Sequence, residues 1–128
     1  MKMITRNPQQ GIYAATPDYV HAMEVTGAAR FLFVSGTMGL DHNGQAPDGL
    51  GEQLSLLWSN IRSILDEAGM TSENIVRLTS YLRDASFAEA NQKARLQALG
   101  ERRVPTTAIV VQTLTPEWLV EIEVIAAA

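Results

Sequence analysis

Few residues in this chain have the type and spacing to do chemistry. Glu121 and Glu123 stand two apart in the apolar run Leu119 to Ala126. A carboxylate that is partly desolvated can position or deprotonate an attacking water. Alternation alone, however, places both glutamates on the solvated side of a strand. Ser35-Gly36 closes the apolar run Phe31 to Val34. Glycine there permits close approach of a ligand oxygen to a backbone N–H, or simply ends a strand in a turn. Serine has no support as a nucleophile, because neither His21 nor His42 is spaced to act as its base. Those two histidines have no carboxylate or second histidine at ligand spacing, so no metal is expected. The chain has no cysteine, which excludes disulfides, thiol nucleophiles and thiolate metal sites. Thr107 offers a hydroxyl, although threonine also suits a strand for its β-propensity alone. Arg102-Arg103 is the only adjacent pair among ten lysines and arginines, and the net charge is -4. Nucleic-acid binding draws on clustered cations, so no DNA or RNA partner is expected.

These residues must be held by regular elements, and the pattern supplies them. Tyr19 to Val25 and Arg30 to Val34 read as strands joined by a hairpin turn at Thr26-Gly27-Ala28-Ala29. Phe31 to Val34 is apolar on both faces, which predicts a central strand. Residues 39–51, with four glycines and a proline, form a loop. Leu54, Leu57, Trp58, Ile61, Ile64, Leu65 and Ala68 recur at helical spacing and define an amphipathic helix that ends at Gly69. Ile75 to Leu82 is β-rich. Ser86-Phe87-Ala88-Glu89 matches a capping box that would start a second helix running to about Gly100, with Phe87, Ala90, Ala94 and Ala98 on its packing side. Thr106 to Leu114 and Leu119 to Ala126 close the chain as strands. The order ββαβαββ predicts an α+β fold, a mixed sheet with two helices on one face. Several strands keep apolar residues on both sides, and two helices cover only one sheet face. The other face therefore calls for a second subunit.

A length of 128 residues with 46% hydrophobic and 19% charged residues fits one globular domain spanning residues 1–128. No stretch is long and apolar enough for a membrane span, and the first residues lack the apolar core of a signal peptide. A cytoplasmic protein with no membrane partner is the expectation.

In order and spacing, several segments resemble the reactive intermediate deaminase (Rid, YjgF-type) family from about Tyr19 onward. They are Phe33-Val34-Ser35-Gly36, Asn60-Ile61, Ala68-Gly69, Leu78 to Asp84, Asn91, and the closing Val120-Glu121-Ile122-Glu123-Val124-Ile125-Ala126. The resemblance implies a chorismate-mutase-like fold, a homotrimer, and small-molecule clefts at the subunit interfaces with no cofactor. It assigns Glu121 to water handling as the catalytic residue. Tyr19, Ser35, Gly36, Thr37, Asn91, Thr107 and Ile109 become the ligand-contacting positions. In the family an arginine two residues after a proline clamps the carboxylate of an imine or enamine, using its planar fork. Here Pro105-Thr106-Thr107 places Thr107 at that position. Ile109 replaces a cysteine, and Thr37 replaces a glutamine. A hydroxyl does not substitute for a guanidinium, so standard 2-aminoacrylate-type deamination is expected to be weak or absent. Arg103, two residues before Pro105, is the nearest alternative arginine. A deaminase-like hydrolase of altered specificity is one reading, and a non-catalytic ligand-binding or interaction protein is the other.

Overall fold

The computed structural model describes residues 1–128. Its strands are β1 (Lys2–Thr5), β2 (Met23–Thr26), β3 (Phe31–Met38), β4 (Ile75–Leu82), β5 (Thr106–Val110) and β6 (Val120–Ala127), and its helices are α1 (Leu50–Glu67) and α2 (Ala88–Leu99). The expected α+β order is present, preceded by the additional strand β1. Four strands form a mixed sheet in the order β3-β6-β4-β5, in which only the β4–β5 pair is parallel.

Several local expectations are corrected. α1 begins at Leu50, inside the expected loop 39–51, β3 runs on through Ser35-Gly36 to Met38, and β5 stops at Val110 instead of Leu114. Gly27, at φ 70, does turn the chain, but β2 and β3 do not pair with each other. β2 pairs with β1 in a separate two-stranded ribbon, and β3 runs against β6. The expected central strand is accordingly an edge strand. Its side chains Phe31 and Phe33 are apolar and yet exposed, Phe33 by 73%. They lie on the sheet face that no helix covers.

The covered face forms the core. Along β6 the even positions Val120, Ile122, Val124 and Ala126 are buried while Glu121, Glu123 and Ile125 are only partly so. Opposite them α1 buries Leu54, Leu57, Trp58, Ile61 and Leu65. Burying each of the larger aliphatic side chains contributes about 1.5–3 kcal/mol, which makes this the principal stabilising contact. Ile64, on the edge of that stripe, remains 39% exposed. The helix ends in a Schellman motif: Gly69 takes φ 68, Met70 N–H donates to Leu65 O, and Gly69 N–H donates to Asp66 O.

The second helix starts differently from expectation. Asp84, in extended backbone, accepts from Ser86 N–H and caps a short 3₁₀ turn, Ala85–Phe87, that leads into α2. Ser86 sits inside that turn and lacks the extended backbone of a cap, so no Ser86–Glu89 capping box forms. Phe87, Ala94 and Ala98 pack against the core as expected, whereas Ala90 is exposed.

Two buried polar side chains fix the frame. Gln53, 1% exposed, donates to Pro47 O and Glu117 O and accepts from Leu119 N–H. It thereby ties the start of β6 to α1. Arg95, also buried, donates to Asp18 O and to Asp18 Oδ2, each at 2.7 Å, which anchors the segment before β2 on α2.

Candidate functional site

Register decides which side chains share the helix-free face. In β4, Arg77, Thr79 and Tyr81 are half-buried while Leu78, Ser80 and Leu82 point into the core. Cross-strand pairing sets Glu121 beside Tyr81, Glu123 beside Thr79, and Ile125 beside Arg77. On the other side of β4, Thr107 pairs with Thr79 and Ile109 with Tyr81. Phe33 of β3 pairs with Ile125. The open face therefore carries Glu121, Glu123, Tyr81, Arg77, the two threonine hydroxyls and an apolar rim of Phe33, Ile125 and Ile109.

Ser35 and Gly36 lie in a β-bulge, where the register of β3 against β6 shifts between Val34 and Thr37. Two residues then face one, which re-aims the strand locally. The need for glycine at position 36 is steric. A Cβ there would stand 2.8 Å from Cδ and Oε1 of Glu121, so the Glu121 carboxylate lies directly on the glycine backbone. That carboxylate takes part in neither of the chain's two ion pairs, Arg6–Glu24 and Arg95–Asp18. The side-chain hydrogen bonds of this face join other groups: Tyr81 OH donates to Glu123 Oε1 at 2.5 Å, and Arg77 Nη2 donates to Thr107 Oγ1 at 2.8 Å. The hydrogen bond to Glu123, together with desolvation and the charges of both glutamates, raises the Tyr81 phenol above its ordinary value.

Within the chain the positions assigned by the resemblance fall into separate groups. Glu121, Gly36, Thr107 and Ile109 share the open face, and Ser35 is exposed in the bulge beside them. Thr37 pairs with core-facing Ile122, and its hydroxyl donates to Ser35 O. It lines a recess at the outer edge of β3 together with Ser35, Gly36, Asn60 and His42, so the three assigned positions Ser35, Gly36 and Thr37 do meet there. Asn60 holds that edge by donating to the carbonyls of Met38 and Leu40. Asn91 is buried in α2, on the other side of the sheet, with its Oδ1 unpaired. Tyr19 lies beyond β5, where its neighbour Val20 bridges to Pro105; its ring meets His21 edge-on at 5.7 Å. Arg103 is spent on backbone carbonyls of Pro17, Gly100 and Arg102. Sequence reading passed over Arg77. Period two places it on one face of its strand, but its approach to Thr107 depends on the β4–β5 register.

Similarity to known proteins places the chain in a family. The chain belongs to the Rid/YjgF family: the family model described as endoribonuclease L-PSP matches residues 9–128. A RutC family protein of Pyrococcus abyssi is 33% identical over 111 residues, covering 84% of each chain. A RutC family protein of Aquifex aeolicus is 41% identical over a shorter 76-residue match, 58% of each chain. Among solved structures, the conserved Rid-family protein YyfB of Yersinia pestis superposes with a TM-score of 0.85 at 27% identity, covering all of both chains. RidA from an Antarctic Psychrobacter gives a TM-score of 0.73, also at 27% identity, over 90% of this chain and 92% of that one.

Proposed function

We propose that the protein is a hydrolase of small molecules bearing a C=N bond, of the imine or enamine deaminase type but with altered substrate specificity. It works in clefts formed where three copies meet on the helix-free sheet face. Family membership supports a small-molecule function in general, and the exposed Phe31, Phe33 and Ile109 support burial of this face against further copies. The observation that carries the hydrolytic reading is the Glu121 carboxylate, seated on Gly36 and outside every ion pair of the chain. A carboxylate held in this way is suited to take a proton from water. The water oxygen then bonds to the imine carbon, the C=N π electrons pass to nitrogen, and nitrogen is protonated. Collapse of the carbinolamine breaks the C–N bond and releases ammonia and a carbonyl compound. An enamine enters the same sequence after protonation on carbon. Ser35, Gly36, Thr107 and Ile109 contact the substrate from the bulge and from β5; of the other positions that the family resemblance assigns, Tyr19 and Thr37 lie outside this group, and Asn91 is buried on the helix side of the sheet, away from this face. With a hydroxyl at Thr107, turnover of the smallest amino-acid imines is slow. A net charge of -4 weighs against RNA as the substrate.

The test is imine hydrolysis, with an amino-acid oxidase generating imines of graded size in situ and loss of imine followed by absorbance. Wild type should accelerate hydrolysis of at least one imine, and Glu121→Ala should abolish the acceleration without loss of the fold. Equal rates for the two proteins, or no acceleration by wild type, would reject the hydrolytic reading and favour a purely ligand-binding protein.

A further inference from the structure

The arginines of this chain are mostly spent on structure. Arg6 pairs with Glu24 and Arg95 with Asp18. Arg30, Arg83, Arg102 and Arg103 donate to backbone carbonyls. Arg77 differs. Its one hydrogen bond goes to the Thr107 hydroxyl, it joins no ion pair, and it rises from the middle of the sheet on the face that no helix covers. Guanidinium has five N–H donors in a planar fork, so one bond to a neutral hydroxyl leaves most of the fork unpaired. The surroundings match a ligand with an acidic head and an apolar body. Arg77 and Thr79 line a cleft of about 320 Å³ with Phe33 and Ile125. Glu123, which also lines it, has one carboxylate oxygen engaged by Tyr81.

We propose that Arg77 is the anion-recognising residue of this face, with Thr107 orienting its guanidinium, and that the ligand is a small carboxylate with an apolar body packed against Phe33 and Ile125. The inference rests on the helix-free face being the ligand-binding face, as in the functional reading above. It moves the cationic clamp from β5, where Thr107 stands, to β4. A ligand is then gripped from a different point of the sheet, which is a physical source for the altered specificity. A bidentate guanidinium–carboxylate pair is both stronger and more directional than a pair with a neutral hydroxyl.

Binding is tested apart from turnover, with benzoate as the acid probe and benzamide as its neutral counterpart, by amide NMR titration of the full chain. Benzoate should shift the amides of Thr79 and Thr107, and benzamide should bind at least about tenfold more weakly. Arg77→Gln should weaken benzoate about tenfold or more and leave benzamide unchanged. Arg77→Lys, which keeps the charge and loses the fork, should fall between. Equal benzoate affinity in wild type and Arg77→Gln, or equal affinity of wild type for the two probes, would overturn the proposal. Glu121→Ala separates the two claims. Arg77-dependent benzoate binding in a protein that hydrolyses no imine supports the anion site and sinks the hydrolase. Glu121-dependent hydrolysis with no role for Arg77 does the reverse.

Discussion

Replacing Gly36 with alanine separates the site from the fold. The added Cβ would stand 2.8 Å from Cδ and Oε1 of Glu121 and 3.1 Å from its Cγ. Carbon atoms prefer a separation of about 3.5–4.0 Å, so the carboxylate must retreat by about 1 Å. The clashing atoms are the far end of a flexible side chain, and rotation about its χ angles relieves the contact. Gly36 is not among the glycines with positive φ, so alanine fits the backbone and restricts the unfolded chain, which offsets some of the strain. The net effect on stability should stay within about 1 kcal/mol. A catalytic group displaced by about 1 Å, by contrast, costs on the order of a hundredfold in rate. Urea unfolding paired with imine hydrolysis reads both quantities. An unchanged midpoint with a rate down about a hundredfold is expected. A variant as active as wild type would refute the placement of Glu121 at the reacting centre, and a loss of several kcal/mol would show that the carboxylate has no room to move.

Other sites give contrasting outcomes. In Gly39→Ala the new Cβ would meet the Gln53 carbonyl oxygen of α1 at 2.1 Å; helix backbone does not yield, so a cost of about 3 kcal/mol or more in urea unfolding is expected. Gly51, in the same helix with nothing within 4 Å, should as alanine stabilise by about 0.5–1 kcal/mol, and the reverse ranking of these two variants would contradict the packing described. Burial raises the Asp18 carboxyl, but hydrogen bonds from Thr16 and Arg95 and the charge of Arg95 outweigh it, so its pKa lies below the ordinary value. A lowered carboxylate adds stability above the unfolded value and loses it as pH falls through the folded one, so stability should drop below about pH 4. Asp18→Asn should cost about 3 kcal/mol at neutral pH and flatten that acid limb, as seen in unfolding curves taken across pH. Because the Tyr81 phenol is raised chiefly by its bond to Glu123, Glu123→Gln should return its titration toward about 10; ¹³C NMR of labelled tyrosine would show it, and an unmoved titration would contradict the bond.

The α+β order and most elements were legible because they rest on local periodicity. Ile75–Leu82 was bounded by its β-branched and aromatic content, and α1 by its apolar stripe and Gly69. Pairing was less legible because it is decided at long range. Thr26 to Ala29 has the chemistry of a hairpin turn, yet β3 finds its partner in β6 at the other end of the chain. β1 is four residues long and pairs only with β2, too short for a pattern to register. Phe31 and Phe33 indicated a strand buried from both sides, a reading that did not allow for a face left open. Gln53 and Arg95 carry no signal in the sequence, since composition does not reveal that a buried amide or guanidinium finds its partners in distant loops. At the site, Glu121 came from family resemblance, and its seat on Gly36 from geometry alone.

The proposed clefts depend on the sheet face that α1 and α2 leave open, because they exist only if further copies cover Phe31, Phe33 and Ile109. Mass in solution, by light scattering on the full chain at micromolar concentration, tests this most directly. A single species at three times 14.0 kDa is the predicted result, with dissociation on Phe33→Asp, which would place an unpaired charge in the interface. A monodisperse species of 14.0 kDa would contradict the account, since the face bearing Glu121 and Arg77 would then be open to solvent and would form no cleft between subunits.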